Sequence, residues 1–242
     1  MNNDINIKGV QKFSMIDYPG KLSCVVFLNK CNMRCGYCHN PELVFSDGSG
    51  GKFPNITQEE FFKFLDEKKS WLDGVCITGG EPTLHPGLLG FMNAIKEKGY
   101  TLKIDTNGSN PGIIQKIIEG KLADYIAMDV KNSIQKYSVT AGANISTSNI
   151  KQSIDIIRDA GNNNLINYEF RTTILPRFIG ESDIIAIGEL LRGSKRYVLQ
   201  QFKSEESLVD NNLKNEKTYT YNELEKFMNI LKEKIIDVEI RK

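Results

Sequence analysis

Three of the five cysteines in this 242-residue chain lie within eight residues of one another, at Cys31, Cys35 and Cys38. They follow an apolar run, residues 22–28, which predicts a buried strand. A closed zinc site and a [4Fe–4S] cluster held by protein alone each need four protein ligands. A four-iron cluster held by three cysteines keeps one iron open for another ligand. The spacing therefore predicts a metal centre that carries out chemistry.

A zinc knuckle is the alternative interpretation of the same loop, with His39 as the fourth ligand. It is disfavoured because adjacent residues such as Cys38 and His39 rarely both point at one ion with tetrahedral geometry. The two other cysteines, Cys24 and Cys76, lie inside apolar runs and are expected to be small buried residues.

Charge and hydropathy exclude several classes of protein. The 31 basic and 30 acidic residues give a net charge of +1 with no block of like charge, so neither nucleic-acid binding nor binding to an anionic membrane surface is expected. No apolar run approaches the roughly 20 residues that span a bilayer, and residues 1–7 lack a signal-peptide pattern. The odd, clustered set of cysteines indicates a reducing compartment, and we expect a cytoplasmic protein.

Strand-like and helix-like segments alternate after the cysteine loop, which predicts an α/β protein with a parallel sheet. We expect a partial (β/α)6 TIM-like barrel with the cluster loop after its first strand, in a single domain over 1–242 with a core at about 20–202. A last helix is predicted at about 220–235, and Ser204–Lys217 is expected to be a loop or disordered. The six predicted strands are 22–28, 74–78, 101–105, 124–130, 166–174 and 197–202.

Polar motifs follow the predicted strands at their carboxyl ends, the edge where such barrels carry their active sites. Gly79, Gly80 and Glu81 follow the second strand: glycines allow close backbone approach, and a carboxylate can pair with an ammonium group. Asp105 and Asn107, after the third strand, suit the hydroxyls of a ribose. Each motif also has a structural alternative, a strand-to-helix turn for the first and an Asn-Gly turn for the second.

Charged residues follow the next two strands. Asp129 and Lys131 lie one alternation apart and therefore on the same face, where they form either a salt bridge or a ligand clamp. Arg171, near the end of the fifth strand, can bind a carboxylate in a bidentate manner or form a structural ion pair. No role is predicted for Gln200 and Gln201 at the sixth strand.

The cysteine motif resembles that of the radical S-adenosylmethionine (SAM) superfamily. Two further segments indicate a particular group within this superfamily: residues 13–21, Phe-Ser-Met-Ile-Asp-Tyr-Pro-Gly-Lys, and residues 39–44, His-Asn-Pro-Glu-Leu-Val. Over about residues 9–202 the chain is similar to the activating proteins of glycyl-radical enzymes, and most closely to those of anaerobic ribonucleoside-triphosphate reductase. That superfamily has the partial barrel fold expected above.

The resemblance implies a [4Fe–4S] cluster and SAM as cofactors. It implies that the cysteines hold three irons, that Gly79, Gly80 and Glu81 hold the SAM amino group, and that Asp129 and Lys131 line the cofactor site. It further implies an aromatic contact of Tyr37 with adenine, and suits Arg171 to the methionine carboxylate. A monovalent cation is implied near three residues, Asp105, Thr106 and Asp129.

As to function, the resemblance implies reductive cleavage of SAM to a 5′-deoxyadenosyl radical, which abstracts hydrogen from a glycine of a partner enzyme. A flavodoxin or ferredoxin is implied as the electron donor, and Asp17 is a candidate contact to the partner loop, although its segment can equally be a plain turn. The alternatives are an activase of the pyruvate formate-lyase type, a radical SAM enzyme acting on a small molecule or peptide, and a zinc-binding module.

Overall fold

The computed structural model describes residues 5–45, 56–204 and 207–242. The chain divides into two compact units, each assembled from separate stretches of sequence. The first unit comprises Met1–Asn32, Glu42–Thr106 and Gly112–Ile126, and the second comprises Met33–Pro41, Asn107–Pro111 and Ala127–Lys242. The single domain expected over 1–242 stays a prediction.

Helices and strands alternate along most of the described chain. The strands are β1 (Ile7–Ser14), β2 (Ser23–Leu28), β3 (Gly74–Gly79), β4 (Thr101–Thr106), β5 (Tyr125–Asp129), β6 (Asn167–Ile174), β7 (Arg196–Gln201) and β8 (Asp237–Arg241). The helices are α1 (Pro41–Val44), α2 (Gln58–Glu67), α3 (Leu88–Glu97), α4 (Pro111–Glu119), α5 (Tyr137–Ala141), α6 (Thr147–Asn162), α7 (Glu181–Leu190) and α8 (Tyr221–Lys232). All six predicted strands are therefore observed, as β2–β7, and β1 and β8 are additional.

In the first unit the strand order is β1-β2-β3-β4. β1 is antiparallel to β2, with Ser14 opposite Ser23, whereas β2, β3 and β4 are parallel. Leu28 lies opposite Gly79, so β2 and β3 end side by side. The loop that carries Cys31 and the Gly-Gly-Glu motif consequently start from the same edge of the sheet.

In the second unit β6, β7 and β8 are parallel and follow one another in that order. Ile174 lies opposite Gln201, so the carboxyl ends of β6 and β7 also coincide. β8 pairs with β7 beyond the core that was expected at about 20–202, and the predicted last helix is α8. β5 contributes its first two residues to the first unit and the rest to the second.

Helix starts follow the local sequence. Thr57 caps α2: its hydroxyl accepts from the amide of Glu60, whose carboxylate accepts from the amide of Thr57, and the two bonds form a capping box. Phe61 and Leu65 are buried on this helix, whereas Trp71 lies beyond its end and is 68% exposed. No helix among the described residues is long and apolar enough to cross a membrane.

Two helical glycines differ in the space around them. A Cβ atom at Gly161, on α6, would lie 2.1 Å from ring atoms of Tyr168, so the close packing of α6 on β6 needs glycine there. At Gly90, on α3, nothing lies within 4 Å of the same atom. Packing therefore explains the first glycine, and the second carries only the entropic cost of glycine in a helix.

We predict that Gly161→Ala lowers the free energy of unfolding by about 1–3 kcal/mol, because the added methyl group overpacks the helix against Tyr168. Gly90→Ala, the matched control, is expected to raise it by about 0.5–1 kcal/mol. Urea unfolding of the apoprotein followed by circular dichroism measures both. Equal effects of the two substitutions would contradict this packing of α6 against β6.

Candidate cofactor site

The cysteine loop, residues 29–40, is held in its middle by the end of α5. The amide of Arg34 donates to the carbonyl oxygen of Ala141 at 2.7 Å, and the Cys35 thiol lies 3.8 Å from the same oxygen. Gly142 follows with a φ of 61°, and a Cβ atom there would lie 2.3 Å from the carbonyl oxygen of Arg34. Only glycine permits both the conformation and the approach.

None of the five cysteines forms a disulfide, and those of the loop differ in exposure. Cys35 is buried, whereas Cys31 and Cys38 are partly exposed. Burial raises the pKa of Cys35, while the positive charge of Lys131 acts in the opposite direction. A cysteine must be a thiolate to bind a metal, so a nearby cation favours the form that a cluster needs.

The side chain of His39 is occupied elsewhere. Its Nε2 lies 3.1 Å from the carbonyl oxygen of Lys203, and its ring lies 6.2 Å from that of Phe202. Among the described residues, which include the three loop cysteines and His39, no group of three or more histidine, cysteine, aspartate or glutamate side chains is placed to hold one metal ion. A [4Fe–4S] cluster makes a different demand, because each cysteine binds a separate iron.

In the first unit the Gly-Gly-Glu segment packs against the end of β2 and the residues that follow it. Gly79 has a φ of 118°, and its Cβ would lie 2.3 Å from the carbonyl oxygen of Leu28. A Cβ at Gly80 would lie 1.9 Å from the carbonyl oxygen of Lys30. The amides of Gly80 and Glu81 donate to the carbonyls of Leu28 and Lys30 at 2.8 and 2.7 Å. The two glycines therefore allow close approach to the start of the cysteine loop.

Glu81 is a buried carboxylate with fixed orientation. Its Oε1 accepts from the amide of Thr83 at 3.0 Å, from the Thr83 hydroxyl at 2.5 Å and from the Thr106 hydroxyl at 2.7 Å. The structure thus brings Glu81 and Thr106, which were predicted from separate motifs, into direct contact. Hydrogen bonds of this kind hold a carboxylate ready for a cationic group.

Lys103 is a buried residue that the sequence analysis missed. Its ammonium group pairs with Oδ1 of Asp105 and lies 3.6 Å from the thiol of Cys76, which is its register partner on β3. Lys103 and Asp105 are two residues apart on β4 and therefore lie on the same face of the strand, as Asp129 and Lys131 do at the end of β5. This spacing was the sequence signal from which the ion pair of Lys103 and Asp105 could have been predicted. The ion pair with Lys103 therefore sets the orientation of the Asp105 carboxylate.

Asn107, in the second unit, forms the turn that was the alternative interpretation of its motif. Its side-chain oxygen accepts from the amide of Ser109 at 3.0 Å, as in an Asx turn. The carbonyl of Gly108 accepts from the Ser153 hydroxyl at 2.7 Å, which ties the turn to α6.

Asp129, Lys131 and Arg171 meet in the second unit. Nε of Arg171 donates to Oδ1 of Asp129 at 2.8 Å, and the ammonium group of Lys131 lies 3.1 Å from Oδ2. Burial would raise the pKa of Asp129, but the charges of Arg171 and Lys131 outweigh it and hold that pKa well below its usual range. Burial would likewise lower the pKa of Lys131, and Asp129 raises it instead. All three groups are therefore charged.

Arg171 continues into a second set of charges. Its guanidinium lies 3.8 Å from the carboxylate of Glu169, which is 1% exposed. Arg241, on β8, donates to both oxygens of Glu169 at 3.3 and 3.2 Å, and Arg196 lies 3.6 Å from it. A buried carboxylate is stable only when it is paired in this way.

Tyr37 lies beside the same cation. The ammonium group of Lys131 is 6.0 Å from the centre of its ring, and Phe178 contacts the ring edge-on at a centroid distance of 6.1 Å. Among the described residues, the buried hydroxyl of Tyr37 has no partner that meets the full geometry of a hydrogen bond. It nevertheless lies close enough to the Cys35 thiol to lower the pKa of that thiol, against the larger effect of burial. An orphaned buried hydroxyl is the kind of group that a bound cofactor satisfies.

Three further residues were named in the sequence analysis: Gln200, Gln201 and Asp17. Gln201 donates to the carbonyl of Tyr219 at 2.7 Å, whereas Gln200 is half-buried. Asp17 accepts from the Ser14 hydroxyl, and its amide donates to the same oxygen at 3.2 Å. Because Ser14 faces the first residue of β2, Asp17 lies at the opposite end of β2 from the cysteine loop.

The residues therefore fit the two cofactors that the sequence implied. Three cysteines without a disulfide lie on one loop whose middle is fixed against α5, and the buried Tyr37 hydroxyl lies beside this loop. Within the first unit the oriented Glu81 suits an ammonium group. Within the second unit the cations of Lys131 and Arg171 suit a carboxylate.

Comparison with known proteins agrees with this chemistry. The model of the radical SAM superfamily matches residues 25–189, more than half of the chain. A protein of Methanocaldococcus jannaschii, whose name describes it as a glycyl-radical enzyme activating enzyme, is 36% identical over 236 residues, 97% of this chain and 95% of that protein. The pyruvate formate-lyase-activating enzyme of Clostridium pasteurianum is 35% identical over 131 residues, 52% of each chain.

Solved structures support the fold. The crystal structure of Streptococcus suis SuiB bound to its precursor peptide SuiA superposes with a TM-score of 0.68 at 14% identity, over 90% of this chain and 48% of that one. At this identity the likeness shows the fold alone, and it confirms the predicted α/β architecture with a parallel sheet. The cofactors of the superfamily are a [4Fe–4S] cluster and SAM, as predicted. The chain belongs to the radical SAM superfamily and, within it, to the activating enzymes of glycyl-radical enzymes.

Proposed function

We propose that this chain activates anaerobic ribonucleoside-triphosphate reductase. The observation that carries the proposal is the likeness to a glycyl-radical enzyme activating protein over almost the full length of both chains. The segments at residues 13–21 and 39–44, which resemble the activating proteins of that reductase, support this particular partner. An activase of the pyruvate formate-lyase type is the second candidate, favoured by the likeness to the C. pasteurianum enzyme over half of the chain.

In this proposal Cys31, Cys35 and Cys38 hold the cluster. When bound, the reduced cluster would supply the one electron that cleaves SAM to methionine and a 5′-deoxyadenosyl radical, and a glycine of the partner would supply the hydrogen atom that converts this radical to 5′-deoxyadenosine. The protein positions the cofactors and excludes water, and no side chain acts as a general acid or base. A flavodoxin or ferredoxin is the proposed reductant. The five free thiols suit a reducing compartment, which we propose is the cytoplasm.

The proposed roles at SAM follow the charges of each group. Glu81, with Gly79 and Gly80, binds the amino group, and Arg171 with Lys131 faces the carboxylate. Asp129 orients both cations through its contacts of 2.8 and 3.1 Å. Three residues complete the proposed set: Tyr37 at adenine, and Asp105 and Asn107 at ribose. We retain as a proposal the monovalent cation near Asp105, Thr106 and Asp129.

A partner protein would meet the turn that follows β1. Met15 and Ile16 in this turn are 81% and 85% exposed, and they precede Asp17 directly. Adjacent exposed apolar side chains of this size are typical of protein contacts. The hydrogen bonds between Ser14 and Asp17 give the turn a defined shape, which supports a docking role for Asp17 and its two apolar neighbours.

The proposed partner is tested by a choice experiment. The reconstituted, reduced protein is incubated anaerobically with SAM and either the anaerobic reductase or pyruvate formate-lyase, and the glycyl-radical doublet is recorded by electron paramagnetic resonance. The proposal predicts a doublet with the reductase only. A doublet with the lyase only would establish the second candidate instead.

We predict that Glu81→Gln weakens SAM binding to the reconstituted protein about tenfold, because the charge-assisted bond to the amino group becomes a neutral one. Glutamine keeps an oxygen that can accept from Thr83 and Thr106, so the loop should stay in place. Glu97→Gln, on the exposed side of α3, is the control and should change the dissociation constant less than about twofold. Equal affinity of wild type and Glu81→Gln would contradict the role of Glu81.

We also predict that the double substitution Met15→Ser and Ile16→Ser lowers partner activation at least about tenfold, because the buried apolar contact is lost. SAM cleavage with a chemical reductant should be unchanged, since both side chains lie at the far end of β2 from the cysteine loop. Ile185→Ser, which replaces an exposed isoleucine on α7, is the control. Normal partner activation by the double variant would show that docking occurs elsewhere.

A further inference from the structure

The segment after β7 lies along the cysteine loop. The sequence predicted a loop or disorder over Ser204–Lys217, and the described part of this segment is a loop with one short 3-10 helix, Asn211–Asn215. The amide of Val209 donates to the carbonyl of Cys38 at 3.1 Å, and the amide of Asp210 donates to the carbonyl of Gly36 at 2.9 Å. We name residues 208–215 the strap.

Side-chain packing accompanies these two hydrogen bonds. Leu208 and Leu213 of the strap are 2% and 0% exposed. A Cβ atom at Gly36 would lie 3.0 Å from Cδ1 of Leu213 and 3.2 Å from Cβ of Asp210. The loop between Cys35 and Cys38 is therefore in close contact with the strap, and a side chain at position 36 would push the two apart.

The strap is itself rigidly built. The carboxylate of Asp210 accepts from the amide and the side-chain amide of Asn212 at 3.0 and 2.9 Å, which caps the 3-10 helix Asn211–Asn215. The Ser204 hydroxyl donates to the carbonyl of Lys214 at 2.7 Å, so the residue that precedes the strap is tied to the end of the strap. A support that has its own internal hydrogen bonds can hold a neighbouring loop in place.

The cysteine loop is thus fixed from two directions within the second unit. On one side the amide of Arg34 and the thiol of Cys35 meet the carbonyl of Ala141, and on the other side the strap meets Gly36 and Cys38. Backbone that belongs to no helix or strand needs such partners, because its buried polar groups must be satisfied. Metal ligands, in turn, depend on neighbouring groups for their orientation.

We propose that Leu213 and Val209 are positioning residues for the cluster: the strap holds Cys35 and Cys38 in their binding conformation before iron arrives. The inference rests on the proposed ligand role of these cysteines and not on the identity of the partner enzyme. A loop ordered in advance loses less conformational entropy when it binds the cluster, and it should release iron more slowly.

The test compares Leu213→Ala with Leu231→Ala, which removes an equally buried leucine from α8. In the apoprotein, hydrogen–deuterium exchange of amides 34–38 should rise about tenfold in Leu213→Ala and less than twofold in Leu231→Ala. In the reconstituted protein, Leu213→Ala should lose iron to a chelator about fivefold faster and broaden the paramagnetic resonance signal of the reduced cluster.

Val209→Pro provides a second variant if Leu213→Ala does not fold, because proline removes the amide that donates to Cys38 without opening a cavity. It should raise exchange and iron loss in the same direction. Unchanged exchange of amides 34–38 in a folded variant would overturn the proposal, as would an equal increase in Leu231→Ala. Neither measurement uses a partner protein or turnover, so a failed partner assay leaves this result standing, and the reverse also holds.

Discussion

The structure depends on the hydrogen bonds made by the backbone of the cysteine loop, which carries three thiols and contains no helix or strand. At the start of the loop, in the first unit, the amide of Lys30 donates to the carbonyl of Leu43 at 2.8 Å, and the carbonyl of Lys30 accepts from Glu81 at 2.7 Å. Lys30 has a φ of 63°, a left-handed conformation that is costly for a lysine and persists only where its surroundings impose it. The Gly-Gly-Glu segment is one of those surroundings, so the cysteine loop and the proposed amino-group site are built from the same hydrogen bonds.

In the second unit, ion pairs between buried side chains hold the charged groups in place. Asp129 lies between Arg171 and Lys131, and Glu169 pairs with Arg241 from the last strand. Each of these buried charges has an opposite charge within reach, which lets this group of residues keep ionised side chains away from water. The edge strand β8 therefore belongs to the support of the proposed cofactor site as well as to the sheet.

Much of this could be predicted from the sequence, because apolar runs, capping residues and turn glycines each have a local cause. The strands β2–β7 and the positions of the polar motifs at strand ends followed from such signals. β8 was missed although polar and apolar residues alternate in its sequence, Asp-Val-Glu-Ile-Arg. Five residues that follow the last helix are too short a pattern to predict a strand without other signals. β1 was missed because a bulge near Gly9 breaks its alternation.

The strap was beyond sequence reasoning for a physical reason. Its contacts to the cysteine loop run through backbone amides of Val209 and Asp210, which any residue except proline provides. Lys103 was missed because a lysine in a strand is usually exposed, and only its pairing with Asp105 explains its burial.

The central claim is that the three-cysteine loop holds an open-site [4Fe–4S] cluster that works with SAM. The most direct measurement is the iron, sulfide and zinc content of the anaerobically reconstituted protein, followed by assay of 5′-deoxyadenosine after reduction in the presence of SAM. The account predicts about four irons and four sulfides per chain, with cleavage of SAM. Stoichiometric zinc without sulfide, and no 5′-deoxyadenosine, would contradict it.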